Sequence, residues 1–348
     1  MEKSKPRLSN IELLRIVAMA LIIAAHLSYY GGAYYHTEGL DKFIASLFVI
    51  GGKLGVALFV MIGSFFMVKR QISFKAVFRL TMTSILVCFL CTAIIFIVRE
   101  PISFKSLVIH NPMWMYWFVT DYIGLMLISP WLNKLINQMD YRSNRNLCFV
   151  LTLLCVLCPT SQLIPYFSNQ FIWFVYLYIL VGFFVKHKDV FNQEKRLIRI
   201  KKLVNKTYIF ATGGGYVFMA YLVYISEKLF PLRNSGSIFL LVVALGLFLF
   251  FYRLNIGQNR LINWIAKGTF AAYLIHENYF LRDYLWNDIL RCSQWYNSPY
   301  FFFYGILSTM SILLLGAVVT VIIDRVVYFV LDIVIVKKII TKFDTVLQ

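Results

Sequence analysis

The feature that most limits this chain is a succession of apolar stretches, each close to the length of a bilayer crossing. A spanning helix needs about 20 mostly apolar residues. Ten candidates follow one another, centred on residues 11–29, 43–67, 77–98, 114–132, 147–164, 171–185, 207–226, 237–252, 262–280 and 301–323. They predict an all-α, polytopic transmembrane helical bundle of about ten spans, with one domain over residues 1–348 and no separate soluble domain. Composition agrees. The chain is 60% hydrophobic and 18% aromatic, with a mean hydropathy of +0.72, whereas soluble domains are nearer half apolar.

The net charge of +18 would raise nucleic-acid binding in a soluble protein. In a membrane chain it is first a topology signal. With the N-terminus inside, 23 Lys and Arg fall in the inner loops and tails and 7 in the outer loops. Inner loops carry the excess of basic residues, so both termini are expected in the cytoplasm of a multi-pass cell-membrane protein, with no nucleic-acid partner. The most basic loop, Lys186 to Lys206, is expected to lie against anionic lipid headgroups. The six cysteines make no disulfide framework. Cys155 and Cys158 form a C-x-x-C with no second pair or histidine nearby, so no metal site is expected. Gly213-Gly214-Gly215 lacks the Lys-Ser or Lys-Thr of a phosphate loop and reads as a close helix contact or a break.

The first span, NIELLRIVAMALIIAAH, carries Glu12, Arg15 and His26. Eleven residues from Arg15 to His26 rise roughly 16 Å and turn about 20° past three full turns. The two side chains therefore share a face at two depths, and Glu12 lies one turn before Arg15. The bland reading is that Arg15 reaches the inner headgroups and pairs with Glu12. Ionisable groups inside a membrane are costly and usually face a cavity or the bundle interior. A second histidine, His276 in FAAYLIHENYF, lies at a depth similar to that of His26, which suggests a polar cavity crossing the bundle.

At these residues the chain resembles the acyltransferase-3 family of multi-span membrane O-acyltransferases that modify bacterial surface glycans. The resemblance rests on Glu12 and the R-x10-H of Arg15 and His26. It extends to GGKLGVALFVMIGSFFM (Gly51–Met67), to MYWFVTDYIGLMLISPWL from Met115, and to KGTFAAYLIH (Lys267–His276). Gly63-Ser64 inverts the family's usual order, and Thr269 stands where Ser is usual. The family's basic pair at the start of the third span is matched only loosely by Lys75 and Arg79.

The resemblance implies transfer of an acyl group, most often acetyl, from cytoplasmic acetyl-CoA or another acyl-CoA to a hydroxyl of a surface polysaccharide or lipid-linked sugar. Arg15, Lys75 and Arg79 would hold the CoA phosphates. His26 would take the hydroxyl proton, with Glu12, His276 and Tyr273 completing the catalytic set. Trp117 and Asp121 would contact the acceptor. The residues themselves also allow blander roles. Lys53 would snorkel to the outer surface, Trp114, Tyr116 and Trp117 would form an interfacial aromatic belt, and Asp121 would pair with a cation. Glu277, adjacent to His276, is expected to point elsewhere, since neighbouring helical residues do not share a face. Two rivals remain. One is a transporter or flippase using the buried Arg and His as a path, for which paired halves are expected and none is seen. The other is an acyltransferase of a non-glycan acceptor.

Overall fold

The computed structural model describes residues 7–70, 73–99, 102–161, 169–193, 212–226 and 235–347. Most of the basic loop expected at the lipid surface lies outside them. Every regular element among the described residues is helical. In a bilayer an exposed N–H or C=O has no water to bond, so a helix that pairs its own backbone is the economical way across.

The main helices are α1 (Ser9–Tyr30), α2 (Gly39–Met67), α3 (Phe74–Val98), α4 (Trp117–Gln138), α5 (Tyr141–Ser161), α6 (Gln170–Gln193), α7 (Thr212–Ile225), α8 (Ile238–Arg253), α9 (Arg260–Lys267), α10 (Thr269–His276), α11 (Phe301–Asp332) and α12 (Val334–Leu347). Six of these, namely α1, α2, α3, α5, α6 and α11, are long and apolar enough to cross a membrane by themselves. α7 and α8 are apolar but shorter. The expected ninth span, 262–280, is instead two short helices, α9 and α10, meeting at Gly268, and helical structure stops at His276. The expected tenth span continues to Asp332, and the amphipathic α12 after it was not foreseen. Phe343 of α12 stacks on Phe74 with ring centroids 4.6 Å apart, and the Asp344 carboxylate accepts the Phe74 N–H.

Lipid tails are as apolar as leucine, so helices in a membrane associate through close packing and polar contacts. α1 and α2 pack through glycines. A Cβ on Gly51 would sit 3.0 Å from the Leu21 carbonyl oxygen, and one on Gly52 would sit 3.0 Å from the Ala25 Cβ. One on Gly55 would strike the Ala18 carbonyl and the Ile22 side chain. Gly51 and Gly55, four apart, thus lay α2 directly on the α1 backbone and put Lys53 at the depth of His26. A second small-residue crossing holds α10 on α11. A Cβ on Gly268 would collide with the backbone of Gly316 and Ala317, and one on Gly316 would lie 2.6 Å from the Ala272 nitrogen. By contrast, Gly213 and Gly214 face open space and Gly215 makes only an ordinary contact with Val243, so the glycine triplet is not the close contact expected of it.

The N-terminal end of α1 is tied to the start of α9. Ser9 Oγ accepts from the Asn259 N–H at 2.8 Å and lies 3.0 Å from Asn263 Oδ1, while Asn10 donates to the Phe251 and Tyr252 carbonyls. α1 is therefore fastened to the α9–α10 segment at one end by hydrogen bonds and at the other by the histidines described below.

These packing differences predict opposite results for two glycines. Gly316→Leu forces apart α10 and α11 and should cost about 1–3 kcal/mol or more, as overpacking does. Gly214→Ala meets nothing and gains helix propensity, so its midpoint should hold or rise. Thermal unfolding in detergent, followed by tryptophan fluorescence, reads both.

Candidate active site

His26 and His276 meet although 250 residues separate them. His26 Nδ1 lies 3.0 Å from His276 Nε2 and 3.0 Å from Glu277 Oε2. The other ring nitrogen of His276, Nδ1, lies 2.5 Å from the Ala272 carbonyl oxygen. A carbonyl only accepts, so His276 carries its proton on Nδ1. Neutral His276 then offers a lone pair at Nε2, and His26 must donate to it from Nδ1. This leaves the lone pair of His26 on Nε2. His276 is fully buried, whereas 20% of the His26 side chain is accessible. The free base of the pair is therefore also the reachable one. Glu277 is steadied by Tyr30, whose hydroxyl donates to Oε1 at 3.2 Å.

The break in the ninth span explains much of this architecture. A helix that ends inside the membrane leaves carbonyls with no intrahelical partner. Near the end of α10 four successive carbonyls are bonded. Ala272 O accepts from the His276 ring, Tyr273 O from the Glu277 N–H, Leu274 O from the Tyr116 hydroxyl at 2.8 Å, and Ile275 O from the Asn278 N–H. Asn278 also donates to the Tyr116 hydroxyl at 3.0 Å, and its Oδ1 accepts the N–H groups of Phe280 and Leu281. Tyr116 is thus a buried structural donor, 0% exposed, and not part of an interfacial belt; of the three aromatics expected there, Trp114 is the exposed one.

The expectation for Glu277 fails for a simple geometric reason. Residues one apart on a helix diverge by about 100°, but a side chain lying between the two directions touches both, and His26 occupies that place. Lys53 is not at the surface either. Its ammonium lies over the Trp117 ring, 4.4 Å from the centroid, within electrostatic reach of Glu277 and Asp121. Trp117 and Asp121 thus sit beside Lys53 on the histidine side of the bundle, and Arg282 flanks the cluster over the Tyr30 ring at 4.5 Å.

Toward the N-terminal end of α1 a cavity of about 540 Å³ opens, lined by Arg7, Arg15, Arg79 and Lys267, with Asp324 the one carboxylate in its wall. Arg79 is paired with Asp324 at 2.7 Å. Lys75 is exposed and does not line the cavity; Arg7 and Lys267, which motif matching did not single out, do. Glu12 is only 4% exposed, and its Oε2 is shared by Arg15 at 2.9 Å and Arg7 at 3.6 Å. It stands 14 residues from His26, about 21 Å along the helix. Its part is to hold two arginines at the cavity, not to work beside the histidines.

One aromatic layer separates the cavity from the histidine pair. Phe118 and Tyr122, stacked at 5.6 Å, line the cavity top, and Phe118 also meets Tyr273 at 5.6 Å. Tyr273 in turn lies 6.0 Å from the His276 ring, and its buried hydroxyl has no hydrogen-bond partner. Gly63 permits this layer, since any Cβ there would occupy the space of the Tyr122 hydroxyl.

The family model of an acyltransferase domain, Acyl_transf_3, matches residues 8–323. The chain belongs to the acyltransferase-3 family. No curated protein and no solved structure matches it. Family and apolar helices together describe a multi-pass membrane acyltransferase. The match takes in α1 through most of α11, so the histidine pair of this acyltransferase and all of the cavity lining except Arg7, Asp324 and Tyr328 fall inside it.

The Asn278 network yields a stability prediction. Asn278→Ala strands the Phe280 N–H and removes the donor to the Tyr116 hydroxyl, while the Leu281 N–H keeps the Asn278 carbonyl; an unsatisfied buried group costs about 1–3 kcal/mol. Its unfolding midpoint in detergent should fall well below that of wild type, whereas Asn146→Ala, on the exposed side of α5, should not move it.

Proposed function

We propose that this acyltransferase moves an acyl group from acetyl-CoA or another acyl-CoA, bound at the cationic cavity, to a hydroxyl of a cell-surface polysaccharide or lipid-linked sugar brought to His26. The observation that carries the reading is the pairing of two unlike sites along one helix: a mouth with several cations, and a histidine whose free lone pair is fixed by its neighbours.

In this reading the basic end of α1 faces the cytoplasm. Arg15, Arg7, Arg79 and Lys267 take the CoA phosphates through charge-assisted hydrogen bonds. The thioester arm passes the Phe118–Tyr122 layer to reach the histidines, a distance of about 16 Å from Arg15. His26 Nε2 removes the acceptor hydroxyl proton as the oxygen attacks the thioester carbonyl. Glu277, beside Nδ1, stabilises the imidazolium that forms, and His276 holds the ring in its tautomer. Tyr273, with a hydroxyl that has no other partner, donates to the oxyanion of the tetrahedral intermediate. Collapse expels the CoA thiolate, which takes the proton back from His26. Trp117 offers a face for a sugar ring, and Lys53 and Asp121 offer polar contacts at its edge.

The test is transfer of label from acetyl-CoA to glycan hydroxyls by protein in liposomes. His26→Ala should lower the rate by at least about 10²-fold, the usual worth of a general base. Glu277→Gln should lower kcat, with KM little changed. Arg15→Ala should instead raise KM for acyl-CoA by about 10- to 100-fold, the loss of one charged hydrogen bond. Variants with wild-type unfolding midpoints and undiminished transfer would refute the assignment, and no acyl-CoA binding or turnover with any acceptor would favour a transporter.

A further inference from the structure

The hydrogen bonds of the histidine cluster do not balance. His26 Nδ1 carries one proton but faces two acceptors at 3.0 Å, His276 Nε2 and Glu277 Oε2. Oε2 is buried and has no hydrogen-bond donor of its own. The cluster is therefore one partner short: two lone pairs converge on a single N–H. His26, His276 and Glu277 each present a ligand atom, and all three atoms lie within 4.8 Å of one another.

We infer that His26, His276 and Glu277 form a binding site for a single divalent transition-metal ion of the zinc type, whose occupancy switches off His26 as a base. Two imidazoles and one carboxylate suit Zn²⁺ and Co²⁺ better than the hard ions Mg²⁺ and Ca²⁺, which prefer all-oxygen shells. The set of two histidines and one glutamate is also one that holds zinc with a fourth position open. Bonds of about 2.0–2.2 Å place neighbouring ligands of a tetrahedral ion a little over 3 Å apart, close to the two 3.0 Å separations here. Metal-binding histidines usually donate their other ring nitrogen to a carbonyl or carboxylate. His276 does this already, to Ala272 O, and Tyr30 bonds the second carboxylate oxygen of Glu277. His26 is the most accessible of the three, with 20% of its side chain exposed against 8% for Glu277.

Binding needs no net loss of a proton. The ion takes His26 Nδ1, and the proton that was there moves to Nε2. That nitrogen is the one whose lone pair would accept the proton of an incoming hydroxyl. Metal and base function are therefore mutually exclusive at the same ring. The inhibitory consequence rests on the acyl-transfer reading above, but metal binding itself does not.

The experiment is titration of chelator-treated full-length protein in detergent with Zn²⁺ or Co²⁺ alone. One ion per chain should bind, and Co²⁺ should show the strong visible absorption of a low-coordinate site. X-ray absorption at the zinc edge should show two imidazoles and one oxygen from the carboxylate. This readout uses the wild-type protein and does not depend on variants folding. His26→Ala, or the milder His26→Asn, should lower affinity at least about 10-fold, whereas His36→Ala and His110→Ala should leave it unchanged. In the transfer assay stoichiometric Zn²⁺ should abolish activity and a chelator should restore it. No bound ion, binding indifferent to His26, or an all-oxygen zinc shell would overturn the inference while leaving acyl transfer intact. Zinc binding at these residues in a protein without transfer would instead refute the proposed function alone.

Discussion

The contact between α1 and α2 sets Arg15, His26 and Lys53 relative to one another. In lipid there is no water to drive apolar surfaces together, so helices hold each other through close van der Waals packing and shared polar groups. Gly51, Gly52 and Gly55 let α2 approach the carbonyls and small side chains of α1, which fixes the level of Lys53 against His26. A bulkier residue at any of the three would move the first helix, and with it both the arginine at the cavity and the histidine above it.

From that pair the bundle builds two polar layers with an aromatic layer between them. The lower layer has cations around a cavity, with Arg7 and Arg15 sharing the buried Glu12 carboxylate and Arg79 paired with Asp324. The upper layer is compact and closed by hydrogen bonds. Phe118, Tyr122 and Tyr273 lie between the cationic cavity and the histidine pair in this structure.

Much of this was legible in the sequence because the physics of a membrane helix is local. Apolar runs announce their helices, and the angular arithmetic of α1 put Arg15 and His26 on one face, where the structure also has them. The depth match of His26 and His276 proved to be a direct contact. Legibility failed where two segments converge. Arg7 and Lys267 lie far apart in the sequence and line one cavity because Ser9 is tied to the start of α9. Lys75 has the right charge but the wrong side of α3. Glu277 was set aside by a rule about neighbours on one helix, which says nothing about a third residue placed between them. The ninth apolar run looked like any other span, because Gly268 breaks it through its contact with Gly316 and Ala317, and no pattern within the run reports that. Tyr116 likewise became readable only once the helix end it serves was known.

The carbonyl of Ala272 has one more consequence. A wire that conducts protons across a membrane needs an exit at each end, with groups that can both receive and release. Here one branch runs from His26 to His276 and then to a backbone carbonyl that can release nothing. That branch is a cul-de-sac: a proton that enters it at His26 leaves only by the way it came. Any onward path runs through the other neighbour of His26, the Glu277 carboxylate and the Tyr30 hydroxyl bonded to it.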